Sequence, residues 1–348
     1  MRVKTFLPAI TCKVMSDMGI RRLHLCPAIT VVLLMCLVIY LADLFHNNCR
    51  YGDAVNKADI RDPSLSVVAS AAKKLLDEHP LLVTVINHAY LPLMYNWMCH
   101  TKRFQGLHDR LLVLAEDKQS LAQFTQRWPG VRSMTINSQR FSLGGQLPFN
   151  TVGYVRMMVL RTEVLNELVQ SNLPFVLFET DFVWLRNPVP DFLELAFKEE
   201  LDLVGSKSAV EDQIMCGGFI YFRNTEHTRL LWAEVTRKMH SLEDRMKFLK
   251  DNESAPKKEN EQRYLNALLA VNYEGVRYGL VDYNTSVVDG KWYTNKILRR
   301  RTSPKAIHNN FLTTTREKII RFKAFGQWFL KSDDSCDDEK LQHHPFVD

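Results

Sequence analysis

The sequence predicts an α/β domain built on a largely parallel sheet and preceded by one N-terminal transmembrane helix. Three observations predict it. Short apolar runs rich in β-branched residues alternate with segments of helical period, at the spacing of β–α units. Three of those runs stop at polar residues, as strands of a parallel sheet do at their ligand-binding edge. Finally, Leu25–Ala42 near the N-terminus runs 18 residues without a charge.

The rest of the 348 residues is ordinary globular composition, 46% hydrophobic and 24% charged, enough for one large domain or two small ones. The net charge is +6, and no long basic run interleaved with aromatics accompanies it, so nucleic acid is not the leading partner. No internal repeat marks a solenoid or propeller.

The uncharged stretch spans roughly 27 Å as a helix, close to the thickness of a bilayer core. Arg2, Lys4, Lys13, Arg21 and Arg22 precede it against one acid, Asp17, and Asp43 follows it. That bias keeps residues 1–24 in the cytoplasm, makes 25–42 a signal anchor and puts the remainder across the membrane. A cleaved signal peptide is the competing reading, but the leader is long and no small-x-small site closes the apolar run. Beyond the anchor disulfides are permitted. Cys49, Cys99, Cys216 and Cys336 lie there and allow three full pairings, among which the sequence does not choose. The sequons at Asn252 and Asn284 would be glycan acceptors if exposed.

Residues 43–79 read as a polar stem with a short helix over 70–78. Residues 81–86 form the first buried strand, ending at Asn87-His88. A helix over 93–104 and a strand over 110–115 follow, the strand ending at Glu116-Asp117. A helix over 119–128 stops at Pro129-Gly130, and 131–136 makes a third strand. After a Gly/Pro loop comes an amphipathic helix over 154–171, then a strand over 175–178 that runs into Glu179-Thr180-Asp181. Strands at 201–205 and 218–223, a helix over 228–240, a charged loop over 241–260, a helix over 261–271 and a strand over 276–281 continue the alternation. Beyond lies loop-rich chain, a last helix over 315–330 and an acidic tail, 331–348. The three polar strand ends fall on one edge of the sheet if the strands are parallel.

Of these ends, Glu179 and Asp181 raise the sharpest question. Two unpaired acids just past a buried strand repel one another, and partial burial raises the cost. A divalent cation removes both penalties, and oxygen ligands favour Mg²⁺ or Mn²⁺. Two acids on a solvated loop are the bland alternative, and a bare acid-x-Asp pair is common. Asn87 and Asp117, at strand ends, are candidates for a ligand contact or for capping turns. Gly217-Gly218 would let backbone approach a ligand closely, or would mark a strand entrance or bulge. Trp184 reads as core rather than as a stacking platform, and the basic run Lys296–Arg301 as solvated surface.

The stretch FETDFVWLRNP, residues 178–188, resembles the metal motif of the nucleotide-diphospho-sugar transferases, in which a strand ends in Asp-x-Asp-x-x-Trp-Leu-Arg-Asn-Pro. TVINHAYLPLMYNWMCH at 84–100, CGGFIYFRNTEHT at 216–228, NEQRYLNALL at 260–269 and AIHNN at 306–310 are similar to further motifs of that family, in the same order. The resemblance covers about residues 80–325 and includes plant cell-wall xylosyl- and arabinosyltransferases. It implies a GT-A fold, a Rossmann-like sheet in a domain over 80–330, and a nucleotide sugar, a UDP-sugar above all, as donor to a glycan or glycoprotein acceptor. It further implies Mn²⁺ and retention of anomeric configuration. Asp181 matches the direct metal ligand and His308 the late histidine that completes the shell. Glu179 stands where the family has its first Asp, facing ribose and metal. Glu261 also replaces an Asp, while Gln262 fits the pattern and would hydrogen-bond sugar hydroxyls. Arg161, more than Arg156, is the candidate to reach the phosphates.

The expected protein is thus a type II Golgi-membrane glycosyltransferase with its catalytic domain in the lumen. Its catalytic residues are Asp181 and Gln262; its donor site is Asn87, Asp117, Arg161, Glu179, Gly217 and Gly218; its metal ligands are Glu179, Asp181 and His308. Two other classes compete. The two Glu-for-Asp exchanges would suit a catalytically weak nucleotide-sugar or glycan-binding protein. A phosphohydrolase with an acid-x-Asp motif would need an Asp nucleophile where Glu179 stands.

Overall fold

The computed structural model describes residues 63–136, 145–211, 213–257 and 259–344. The predicted anchor at 25–42, the segment before it and the stem up to residue 62 lie outside the described residues. No helix among the described residues is long and apolar enough to cross a membrane.

The chain begins with α1 (Pro63–Lys73), earlier than the helix predicted over 70–78. Val68, Ala69 and Ala72 of α1 are buried, so part of the stretch assigned to the stem packs into the core. Then come β1 (Leu81–Ile86), α2 (Leu91–Thr101), β2 (Leu111–Ala115), α3 (Lys118–Arg127) and β3 (Arg132–Thr135). The long helix α4 (Val152–Gln170) leads into β4 (Phe175–Phe178), β5 (Phe182–Trp184) and α5 (Val189–Lys198). β6 (Leu203–Lys207), β7 (Met215–Phe222), α6 (Glu226–Met246), α7 (Glu261–Ala270) and β8 (Tyr278–Leu280) complete the second half. β9 (Val287–Val288), α8 (Lys291–Thr294), α9 (Lys296–Arg301), β10 (Ala306–His308), α10 (Thr315–Ala324) and α11 (Asp338–His343) close the described chain.

Among the described residues, seven strands form one sheet in the order β3-β2-β1-β4-β7-β6-β8. β1 is parallel to β2 and β4, β2 to β3, and β6 to β8; β7 runs antiparallel to both its neighbours. The mostly parallel sheet expected from the sequence is therefore present, with one reversed strand. Its apolar runs are continuous because both faces are covered. Leu81, Val83, Leu112, Leu114, Phe175 and Leu177 pack on the side of α1, α4, α6 and α7. The alternate residues Leu82, Leu111, Val113, Val176 and Phe178 pack on the side of α2 and α5.

A second, three-stranded sheet, β5-β10-β9, was not foreseen. Its strands are two or three residues long, too short to show a period, and they exist through long-range pairing. The helix predicted over 228–240 runs on to Met246, because Leu242 and Met246 keep the apolar phase of Leu231, Val235 and Met239 through residues read as loop. The predicted helix over 315–330 ends at Ala324, with Gly326 at a φ of 73°. Residues 331–344, read as acidic tail, are fastened to the domain. Cys336 is disulfide-bonded to Cys99 of α2, and Leu330 bridges Cys336. Cys216 is a buried free thiol.

Candidate active site

β4 ends at Phe178, and the chain turns through Glu179, Thr180 and Asp181 before β5 begins. This turn is the seam between the two sheets. The Glu179 N–H donates to the Gly218 carbonyl of β7 at 2.9 Å, and the Asn309 N–H donates to the Asp181 carbonyl at 2.9 Å. β10 runs antiparallel to β5 with His308 opposite Phe182. Pairing alone therefore brings His308 beside Asp181 across 127 residues of chain. The imidazole stacks on the Phe182 ring, centroids 4.0 Å apart and planes 16° from parallel. Its Nε2 lies 3.4 Å from Glu179 Oε2 and 3.3 Å from Asp181 Oδ1, and its Nδ1 lies 3.6 Å from Cys216 Sγ.

The other oxygen of each carboxylate is held by a cationic side chain. Arg161 Nη1 donates to Glu179 Oε1 at 2.7 Å, and Lys318 Nζ donates to Asp181 Oδ2 at 2.7 Å. Glu179 Oε2, Asp181 Oδ1 and His308 Nε2 are thus turned toward one another, and these three residues offer ligand atoms within 4.8 Å of each other. Two carboxylate oxygens and one imidazole nitrogen suit a hard or borderline divalent cation. The residues fit such an ion.

The charges are strongly perturbed. Burial pushes the Glu179 carboxyl up, but the His308 hydrogen bond and the Arg161 charge outweigh it and hold the group down at about 2. Burial likewise opposes ionisation of Asp181, and Lys318 and His308 together keep it well below the usual carboxylate range. Burial lowers His308 while Asp181 raises it further, so the ring prefers to be charged when only protons compete for it. Lys318 is raised in the same way, burial being overcome by Asp181.

The two places where this chain departs from the family pattern meet at one side chain. Arg161, buried on α4, reaches Glu179 with Nη1 and grips Glu261 in a two-pronged pair, Nε to Oε2 and Nη2 to Oε1, both 3.0 Å. The Thr162 hydroxyl donates to Glu261 Oε2 at 3.0 Å. Asn260 caps α7 through the Arg263 N–H, which puts Glu261 and Gln262 in the first turn. Gly218 makes room for the longer acid: a β-carbon there would stand 2.8 Å from Glu179 Cδ and 3.2 Å from His308 Cε1. The Gly217 N–H donates to Gln262 Oε1 at 2.7 Å, and Gln262 Nε2 donates to Gln213.

Glu179, Asp181, His308, Arg161, Gly217, Gly218 and Gln262 therefore come together. Asn87 and Asp117 stand at the carboxyl edge, but as caps. Asn87 Oδ1 accepts the Tyr90 N–H at 3.2 Å, and Asp117 Oδ1 accepts the Ser120 N–H at 2.7 Å at the start of α3. Arg156 points elsewhere and holds Asp251 and the carbonyls of Met246 and Leu249. Trp184 is fully buried, as core. Asn252 and Asn284 are both exposed. Sequence reasoning missed Lys318 and Cys216 as neighbours of the ligand atoms. A signal for Lys318 was present: Thr314 and Glu317 form a capping box that begins α10 and sets Lys318 in its first turn, close after His308.

Residues 106–322 match the nucleotide-diphospho-sugar transferase family, and the chain belongs to it. It is a glycosyltransferase that uses a nucleotide-sugar donor. A UDP-D-xylose:L-fucose alpha-1,3-D-xylosyltransferase of Arabidopsis thaliana is 25% identical over 305 residues, covering 81% of this chain and 77% of that protein. A UDP-galactose:fucoside alpha-3-galactosyltransferase of Dictyostelium discoideum is 22% identical over 202 residues, 53% of this chain and 30% of that protein. Among solved structures, an active-site mutant of LgtC is similar with a TM-score of 0.43 and 11% identity, over 72% of this chain and 97% of that one. The bifunctional glycosyltransferase WbbM has a TM-score of 0.42 and 13% identity over 77% of this chain; the match spans about half, 52%, of WbbM.

Proposed function

We propose that this protein is a metal-dependent, retaining glycosyltransferase that moves a pentosyl or hexosyl group from a UDP-sugar to a fucose-containing glycan. The observation that carries the reading is the convergence of Glu179 Oε2, Asp181 Oδ1 and His308 Nε2 at the carboxyl end of β4, each acid braced by a cation on its other oxygen. Mn²⁺ or Mg²⁺ is the ion that this donor set suits, and when bound it supplies positive charge to the departing diphosphate. Arg161 holds Glu179 in the ligating pose and adds charge from α4. Lys318 does the same for Asp181 from α10. Gly217 and Gly218 leave room for Gln262 and for the Glu179 carboxylate, and Gln262, held by the Gly217 N–H and bonded to Gln213, would meet sugar hydroxyls by exchanging the Gln213 bond. Asn87 and Asp117 stand at the same edge, each capping a turn with a side-chain oxygen, and are the residues we read as facing the nucleoside.

The named activities of the relatives guide the substrates. Their donors differ, xylose in one and galactose in the other, while the acceptor is fucose in both. An α-linked product from an α-linked UDP-sugar is retention. The Golgi lumen suits a signal anchor over residues 25–42, and the Cys99–Cys336 disulfide and exposed sequons support an oxidising, glycosylating compartment. The test is a panel of UDP-sugars against the full-length protein, with and without Mn²⁺, read as thermal shift and donor hydrolysis. One donor should stabilise and be hydrolysed only with Mn²⁺, and Asp181→Asn should cut turnover by about two orders of magnitude or more. Donor binding that survives both chelation and Asp181→Asn would instead favour a metal-independent binding protein.

A further inference from the structure

We propose that Phe311 is the acceptor platform of this active site, an aromatic face on which the C–H face of the acceptor pyranose lies. The proposal rests on the glycosyltransferase reading and adds the residue that seats its acceptor. Phe311 is 53% exposed. Its φ is 64°, and among the described residues it is the only hydrophobic side chain in the left-handed region; the other non-glycine positions there are Asn, Asp and Glu. A bulky residue adopts that conformation only where its surroundings impose it.

The surroundings do impose it. His308 ends β10. The Asn309 N–H is tied to the Asp181 carbonyl, and Asn309 Nδ2 donates to the Lys318 carbonyl at 2.9 Å. Asn310 Oδ1 accepts the Gly290 N–H at 2.7 Å, and its carbonyl accepts from Arg321 Nη1 at 2.8 Å. On the far side the capping box of Thr314 and Glu317 starts α10. Clamps on both flanks hold an aromatic ring out to solvent, three residues from a metal-facing histidine and therefore within about 11 Å of it along the chain. Phe311 belongs to neither apolar core, so the ring is left for a ligand rather than for packing.

Position selects the acceptor over the donor. The nucleotide end of the donor belongs at the carboxyl edge of β1, β2 and β4. Phe311 follows β10 of the small sheet, and its neighbour Asn310 is tied to the turn after β9 rather than to that edge. Chemistry selects a pyranose face. A phenyl ring has no hydrogen-bonding group, so it reads the polarised C–H bonds of one sugar face through its negative π-cloud.

The experiment uses full-length protein with UDP-xylose, Mn²⁺ and methyl α-L-fucopyranoside as probe acceptor. Phe311→Ala should raise KM for the fucoside at least tenfold while KM for UDP-xylose moves less than twofold, and Phe311→Trp should restore fucoside KM to near the wild-type value. Phe311→Gly accepts the left-handed backbone, so it should melt at or above the wild-type temperature and still lose the fucoside. Saturation-transfer NMR of the fucoside with the Mn²⁺–UDP-loaded protein reads binding without turnover, and the signal should vanish in Phe311→Gly. An unchanged fucoside KM in Phe311→Ala overturns the proposal. So does a donor KM that rises in step, which would place Phe311 in the donor pocket, or a sedimentation change showing that the ring joins two copies of the chain. Should wild-type protein hydrolyse no donor, the activity reading fails while the NMR titration still decides whether Phe311 holds a pyranoside.

Discussion

At Gly218 one missing methyl group leaves the room that the Glu179 carboxylate occupies. The Glu179 carboxylate lies over the Gly218 backbone, 2.8 Å from where a β-carbon would stand. Gly218→Ala should leave the fold intact, since a β-carbon there would first meet the ends of the Glu179 and His308 side chains, yet push the carboxylate off the shared point. Mn²⁺ affinity, measured by calorimetry, should fall about 10- to 100-fold. Glu179→Asp in the same background shortens the acid by one methylene and should recover part of the loss. An alanine variant with wild-type Mn²⁺ affinity would show that Glu179 is no ligand. The residues of this site were legible in unequal degree. Glu179, Asp181 and His308 stand in local patterns that could be recognised. That Arg161 joins Glu179 to Glu261 could not be read, because the three lie on three elements and only the fold brings them together.

At the scale of elements, α2 carries more of the site than its sequence suggests. His100 Nδ1 donates to the Asn96 carbonyl at 2.8 Å, and its Nε2 accepts the Trp184 N–H at 3.0 Å, so α2 fixes β5, the strand that leaves the Asp181 turn. Cys99, next to His100, is bonded to Cys336, 237 residues away. Closing a loop of that length is worth up to about 5 kcal/mol by chain entropy alone. Cys336→Ser should lower the unfolding free energy by about 2–5 kcal/mol. Dithiothreitol should destabilise the wild-type protein by a similar amount and leave the variant unmoved; equal sensitivity in both would point to another thiol. The same comparison explains which elements the sequence announces. β1 and β4 match their predicted bounds because each is an apolar run buried on both faces. β5, β9 and β10 are too short for any period, and α11 is held by a disulfide that sequence cannot pair.

Across the whole molecule the fold class was readable because its cause is global. Strands buried on both faces write themselves as unbroken apolar runs, and helices between them as periodic ones. Strand order and the reversal of β7 leave no such mark. The layer between sheet and helices also buries groups whose charge would be costly, and this gives the protein a pH dependence away from Glu179, Asp181 and His308. Burial lowers His100 to about 3, opposed only by its bond to Asn96, and Arg103, His344 and His108 push it the same way as burial. In the unfolded chain the same ring titrates near ~6.5. The folded pKa is the depressed one, so between about 6.5 and 3 the unfolded state binds the extra proton. The stabilisation is complete above pH ~6.5 and is lost as pH falls below it, by about 1.4 kcal/mol at pH 5.5. Other groups titrate in this range, so the decisive quantity is a difference. The unfolding free energy of wild type minus that of His100→Gln, from urea titrations of the full-length protein, should shrink by about 1.4 kcal/mol between pH 7.5 and pH 5.5. Glutamine can reach the same two backbone partners without titrating. A difference that stays constant over this interval would mean that His100 takes up a proton inside the folded protein, and the neutral link between α2 and β5 would have to be abandoned.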